Sequence, residues 1–245
     1  MNVVVTGASR GIGRAIAHAL AAAGARVALL ARGTEALARA AAELAGGVAV
    51  PCDVGDPVAV RRAFAAVAEA LGGLDALVNN AGVGRPAALE SARDEDLRAQ
   101  VDTNFLGAVY CARAALPFFR RAGGGDLVNV SSDSAADPWP GLGVYAATKA
   151  ALELWTRDLR RELAPEGVRV TLVRAGPTVT DFAAGFDPAV AAAAFARWRA
   201  EGRLADGVLA PERVAEAVAF ALARPPGAAV ELLEIRPTAA ARRAQ

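Results

Sequence analysis

Seven short runs of this chain are almost wholly apolar, and between them apolar residues recur at helical spacing. The runs are NVVVT (2–6), RVALLA (26–31), GVAVP (47–51), DALVNN (75–80), DLVNVS (126–131), VRVTLV (168–173) and AVELLEI (229–235). They are rich in valine and leucine and show little polar alternation. That is the pattern of strands covered on both faces. Helical spacing fills residues near 12–23, 34–45, 57–71, 94–121, 144–164 and 211–223. Strand and helix in turn imply crossover connections and a parallel sheet. The expectation is an α/β protein, a three-layer doubly wound Rossmann-type fold with a seven-stranded parallel sheet. No linker or repeat interrupts it, so residues 1–245 read as one domain. Residues 178–207 are the exception, a weakly helical excursion long enough to be a substrate lid.

Composition narrows the classes. The 245 residues carry a formal net charge of +1, so bulk electrostatics give no case for nucleic acid or an anionic membrane. Cys52 and Cys111 are the only cysteines and His18 the only histidine, which argues against a disulfide framework, a metal site or a histidine-based triad. Strand-like sequence from Asn2 and the absence of a long uninterrupted apolar run make a cytoplasmic protein the expectation.

Chemistry enters at TGASRGIG, residues 6–13, between the first strand and the first helix. Gly7, Gly11 and Gly13 permit a tight turn and close approach of backbone to a pyrophosphate at a helix N-terminus. An ordinary glycine-rich turn is the competing reading. The second strand ends LLARG, with no carboxylate until Glu35. Arg32, and Arg10 within the loop, suit a ribose 2′-phosphate, so NADP is expected ahead of NAD. Both also read as solvated surface arginines.

The sequence YAATK, 145–149, contains the chain's one lysine, against twenty-six arginines. Tyr145 and Lys149 lie four apart on one helix face. An ammonium near a phenol lowers its pKa from about 10. Such a pair can exchange protons between an alcohol and a carbonyl. Tyrosine and lysine also meet at this spacing by chance on many helices, and the pair gains weight from its company. VNVSS (128–132) ends one strand, and NNAG (79–82) ends another where a cofactor crevice is expected.

TGASRGIG, CDV (52–54), NNAG, Asn104, the serine pair 131–132, YAATK and RAGPTVTD (174–181) occur in order over essentially the whole chain. In this the sequence resembles the short, single-domain branch of the short-chain dehydrogenase/reductase family. The resemblance implies roles. Tyr145 is the proton donor in reduction. Lys149 holds the nicotinamide ribose and lowers the Tyr145 pKa. Ser132, rather than Ser131, polarises the carbonyl. Asn104, within a long helix, holds a water linking Lys149 to solvent. The cofactor set it implies is Gly7, Ser9, Arg10, Gly11, Ile12, Gly13, Arg32, Asp53, Val54, Asn80, Ala81, Gly82, Tyr145, Lys149, Gly176 and Thr180. Asp53 meets the adenine and Thr180 the carboxamide. A homotetramer or homodimer is expected.

Two departures from the family pattern stand out. Ala175–Gly176 replaces a usual Pro-Gly, with Thr178 where an aliphatic residue is common. The chain ends VELLEIRPTAAARRAQ rather than in a glycine-rich segment. That ending is similar to bacterial NADP-dependent 3-hydroxy acid dehydrogenases of the family. The resemblance therefore implies a small hydroxyl or carbonyl substrate, such as a 3-hydroxy acid. A 3-ketoacyl-carrier-protein reductase and a non-catalytic NADP(H) sensor are the alternatives. Arg197, Arg199 and Arg203 surround Trp198 in the excursion. One of them, or Arg85, could grip a carboxylate; equally, the three could be the solvated face of a lid helix with Trp198 packed inward.

Overall fold

The computed structural model describes residues 1–238. Its strands are β1 (Asn2–Thr6), β2 (Arg26–Ala31), β3 (Val48–Pro51), β4 (Ala76–Asn79), β5 (Gly125–Ser132), β6 (Val168–Ala175) and β7 (Leu232–Ile235). All are parallel in one sheet of order β3-β2-β1-β4-β5-β6-β7. Parallel neighbours need long crossovers, and helices provide them. These are α1 (Gly11–Ala22), α2 (Thr34–Ala42), α3 (Pro57–Leu71), α4 (Asp94–Val101), α5 (Gly107–Ala122), α6 (Gly143–Leu163), α7 (Pro188–Ala200) and α8 (Pro211–Leu222).

The sheet has a core on each face, which is why its strands lack polar alternation. Val3 and Val5 of β1 pack with α1, α2 and α8, while Val4 between them packs with α3, α5 and α6. All three valines are fully buried. The strand order reverses between β1 and β4. In such a sheet the loops leaving the two strands part to opposite faces and open a crevice at their carboxyl ends.

Three elements differ from the expectation. The helix of 94–121 is interrupted by a π-helical turn, Asp102–Leu106, between α4 and α5. Asn104 sits in that turn, its side chain buried and bonded to other segments rather than solvated. Single π turns of this kind are common where a helix presents a working side chain. β7 is shorter than 229–235, and just before it the Arg160 and Thr171 side chains bond the carbonyls of Glu231 and Val230. The excursion after β6 holds a 3-10 turn, Asp181–Gly185, followed by α7. The last seven residues of the chain's distinctive ending lie outside the described residues.

Candidate active site

The loop leaving β1 is built for close approach. Gly7 has φ of +66°, and a Cβ there would stand 2.8 Å from the Ala81 Cα. A Cβ on Gly13 would collide with the Gly7 carbonyl oxygen. Only glycine fits at both places. Thr6, which sequence reasoning left without a role, fastens this loop to the end of β4. Its buried hydroxyl accepts the N–H groups of Asn80 and Ala81, both at 3.0 Å. The Asn80 amide returns a bond to the Thr6 carbonyl at 3.0 Å. The loop therefore opens onto the crevice in one fixed shape, with the N-terminus of α1 behind it.

The crevice is a cavity of about 630 Å³, within the range of small-molecule and cofactor sites. Every residue named above for the cofactor lines it, from Arg10 and Arg32 at one end to Gly176 and Thr180 at the other. Arg10 and Arg32 are exposed and have no ionic partner among the described residues. Asp53 lines it too, its carboxylate accepting the Gly55 N–H at 3.0 Å.

Ser132, Tyr145 and Lys149 meet in the same cavity. Lys149 is buried on α6 and donates to the Val130 carbonyl at 2.9 Å. Its Nζ lies 6.0 Å from the centre of the Tyr145 ring. Asn104 does not line the cavity. It stands just behind Gly82, where a Cβ would be 3.5 Å from both Asn104 Oδ1 and Lys149 Nζ. Asn104 Oδ1 accepts the Val83 N–H at 2.7 Å, and its amide donates to the Val83 carbonyl and the Thr148 hydroxyl.

Electrostatics correct one expectation. Burial pushes the Tyr145 phenol up to about 12; the Ser132 hydroxyl pulls it back, and the Asp133 charge adds to the rise. The lysine does not bring it below its ordinary value, because loss of solvent dominates. Burial in turn lowers Lys149 to about 8, against the opposing pull of Glu153. The phenol is then a proton holder, and the lysine loses its charge at lower pH than an exposed lysine would.

Asp133 was not anticipated. It opens a 3-10 turn, Asp133–Ala135, directly after Ser132, and is 8% exposed. It lines the cavity, and the Ser132 hydroxyl donates to its carboxylate at 3.2 Å. The Ser134 and Ser132 hydroxyls lie 2.8 Å apart. Its sequence signal was an acid placed between the serines that close a strand, where a carboxylate needs a reason.

The excursion after β6 roofs the cavity. Phe182 lies edge-on to Tyr145, centroids 5.2 Å apart, and its ring fills the space above Gly84. Trp198 of α7 is buried against Trp139 and Phe195, and its indole N–H donates to the Pro140 carbonyl at 2.9 Å. The arginines around it take the solvated alternative. Arg197 pairs with Glu201, Arg203 with Asp137, and Arg199 is exposed. Arg85 is the arginine of that group that lines the cavity, held by Asp96 at 3.2 Å and the Gly84 carbonyl at 2.8 Å.

Known proteins share this arrangement of chain. The family profile described as short chain dehydrogenase matches residues 1–190. Carbonyl reductase family member 4 of Danio rerio is 38% identical over 224 residues, 91% of each chain. Among solved structures, the closed form of serine dehydrogenase complexed with NADP+ superposes with a TM-score of 0.86. It is 30% identical over 96% of this chain and 94% of its own. The 3-ketoacyl-(acyl-carrier-protein) reductase of Brucella melitensis complexed with NADH gives 0.85, at 28% identity over 96% of each chain. A parallel sheet of this order, a glycine loop after its first strand and likeness along nearly the full length leave one assignment: the chain is an oxidoreductase of the short-chain dehydrogenase/reductase family.

Proposed function

We propose that this protein is an NADP-dependent oxidoreductase that interconverts a hydroxyl and a carbonyl on a small substrate, using Ser132, Tyr145, Lys149 and Asn104. The observation that carries the reading is the continuous cavity joining the glycine loop to Tyr145 and Lys149. The residues fit a dinucleotide: Gly7 and Gly13 leave room that a Cβ would fill, and the start of α1, where a helix has N–H groups without intrahelical partners, lines the cavity. When bound, the cofactor supplies or accepts the hydride. The chain supplies the rest. Ser132 donates a hydrogen bond to the substrate oxygen. Tyr145 gives that oxygen its proton in reduction, and its raised pKa keeps the proton in place beforehand. Lys149 keeps N–H groups free beyond the one given to Val130, and these hold the ribose. Asn104, committed to Val83 and Thr148, holds the π turn beside Lys149 and a water that links the lysine to solvent.

Choice of NADP rests on Arg10 and Arg32, since relatives of similar likeness carry NADP+ in one case and NADH in another. A 3-hydroxy acid remains the substrate class we favour, with Arg85 the arginine available to its carboxylate. Likeness to serine dehydrogenase supports it. We further propose that the whole chain works as one domain with residues 178–207 as its lid, as a homotetramer in the cytoplasm. No described helix is long and apolar enough to cross a membrane.

Two measurements test the reading. NADPH should bind at least about tenfold more tightly than NADH, the worth of roughly one charge-assisted phosphate contact. Arg32→Asp should erase that ratio, and equal affinities in the unaltered protein would end the NADP assignment. Small hydroxy acids should outperform their methyl esters; equal rates would remove the acid from the reading.

A further inference from the structure

Asp133 presents a problem that the proposed reaction does not solve. A carboxylate removed from water costs free energy unless a cation or several donors meet it. Asp133 is 8% exposed, and among the described residues no cation lies within ion-pair distance. The donors that meet it are the Ser132 hydroxyl at 3.2 Å and the neighbouring Ser134 N–H, both from its own turn. The charged groups that influence it from other elements are already engaged. Arg236 is paired with Glu234, and Arg203 with Asp137. Burial accordingly raises its pKa.

The placement is also awkward for catalysis. Ser132 must give its proton to the substrate oxygen, yet here it gives it to Asp133. A lone carboxylate beside that oxygen would also oppose the negative charge that develops on it during hydride transfer. Both difficulties disappear if a cation on the substrate meets Asp133. The carboxylate then takes its donors from the substrate, and the Ser132 proton is released to the substrate oxygen.

The walls suit such a cation. Trp139, Tyr145, Phe182, Phe195 and Trp198 line the same cavity as this carboxylate. They pack edge to face, Trp139 on Trp198 at 5.2 Å and Tyr145 on Phe182 at 5.2 Å. Aromatic rings beside one acid are a common setting for an alkylammonium. Spacing puts the charge near the reacting oxygen. The Ser132 hydroxyl and the Asp133 oxygen are 3.2 Å apart. Substrate groups bonded to each can therefore lie close together, on the order of 3 Å apart. An oxygen and a nitrogen on adjacent carbons meet that condition.

We infer that the substrate is a vicinal amino alcohol or the matching amino ketone, with its ammonium on Asp133 and its reacting oxygen on Ser132 and Tyr145. This rests on the proposed oxidoreductase reading and narrows its substrate class. It is compatible with a carboxylate elsewhere on the molecule. The amine passes through unchanged; the bonds made and broken are those of the carbinol carbon and its oxygen.

The test compares 1-amino-2-propanol with 1,2-propanediol, which differ in ammonium against hydroxyl at one carbon. Binding to the NADP+ complex is followed by the fluorescence of Trp139 and Trp198, and turnover by NADPH formation. The amino alcohol should bind at least about tenfold more tightly. Asp133→Asn should reduce that ratio to near one. Equal binding of the two compounds by the unaltered protein would overturn the inference, whether or not the variant folds. So would a variant that weakens both compounds alike, since Asp133 would then serve only Ser132. If binding follows Asp133 while neither alcohol nor any ketone is turned over, the ammonium site stands and the oxidoreductase reading falls.

Discussion

One lysine among twenty-six arginines is the smallest feature that needs explaining. Lys149 is 4% exposed and donates inward to Val130, a place where arginine would bring a bulkier planar fork and could not lose its proton. Its lowered pKa makes a pH prediction. In the proposed mechanism the ammonium is the working form, the one that holds the ribose. A lysine shifted down to about 8 is mostly charged below that pH and mostly neutral above it. The kcat/KM for carbonyl reduction should therefore be level through neutral pH and fall about tenfold per unit above about 8. Tyr145, raised to about 12, stays protonated across this range and cannot be the source of the fall. A profile level to pH 10 would contradict the lysine's role. Lys149→Met should remove the pH-dependent limb together with most turnover.

At the scale of elements, the glycine loop is the part with least tolerance. Gly13→Ala puts a methyl into the Gly7 carbonyl, and the loop must shift before α1 can form as it does now. We expect cofactor affinity to drop by more than about tenfold, and isothermal titration with NADPH would read it; unchanged affinity would show that the loop yields easily. This loop was legible in the sequence because glycine spacing is a backbone requirement and depends on no distant partner. The strands were legible for a similar reason, since Val3, Val4 and Val5 feed two cores and need no polar alternation. What stayed hidden depended on contacts between distant segments. The π turn at Asn104 goes with bonds to Val83 and Thr148, and no periodicity reveals that. Trp198 and its arginines read equally well in two ways until α7 was seen against Trp139. Asp133 drew no expectation from the sequence, and its burial is what sets it apart.

At the scale of the molecule, α4 and α6 leave apolar side chains in solvent. Leu154 is 63% exposed and Val101 39%, beside the half-buried pair Phe105 and Trp155. A patch of this kind usually marks an interface. Light scattering at micromolar concentration should give the mass of a tetramer or at least a dimer, and a mass near 24.9 kDa would rule out both. The account as a whole stands on one phenol placed between cofactor and substrate. Its most direct test is Tyr145→Phe, with NADPH consumption measured on a panel of small ketones, keto acids and amino ketones, and NADPH affinity measured alongside. The ring packs against Phe182 without its hydroxyl, so affinity should stay within a few-fold while turnover falls by at least about a hundredfold. Turnover near that of the unaltered protein would show that the proton comes from elsewhere and would contradict the assignment of this site.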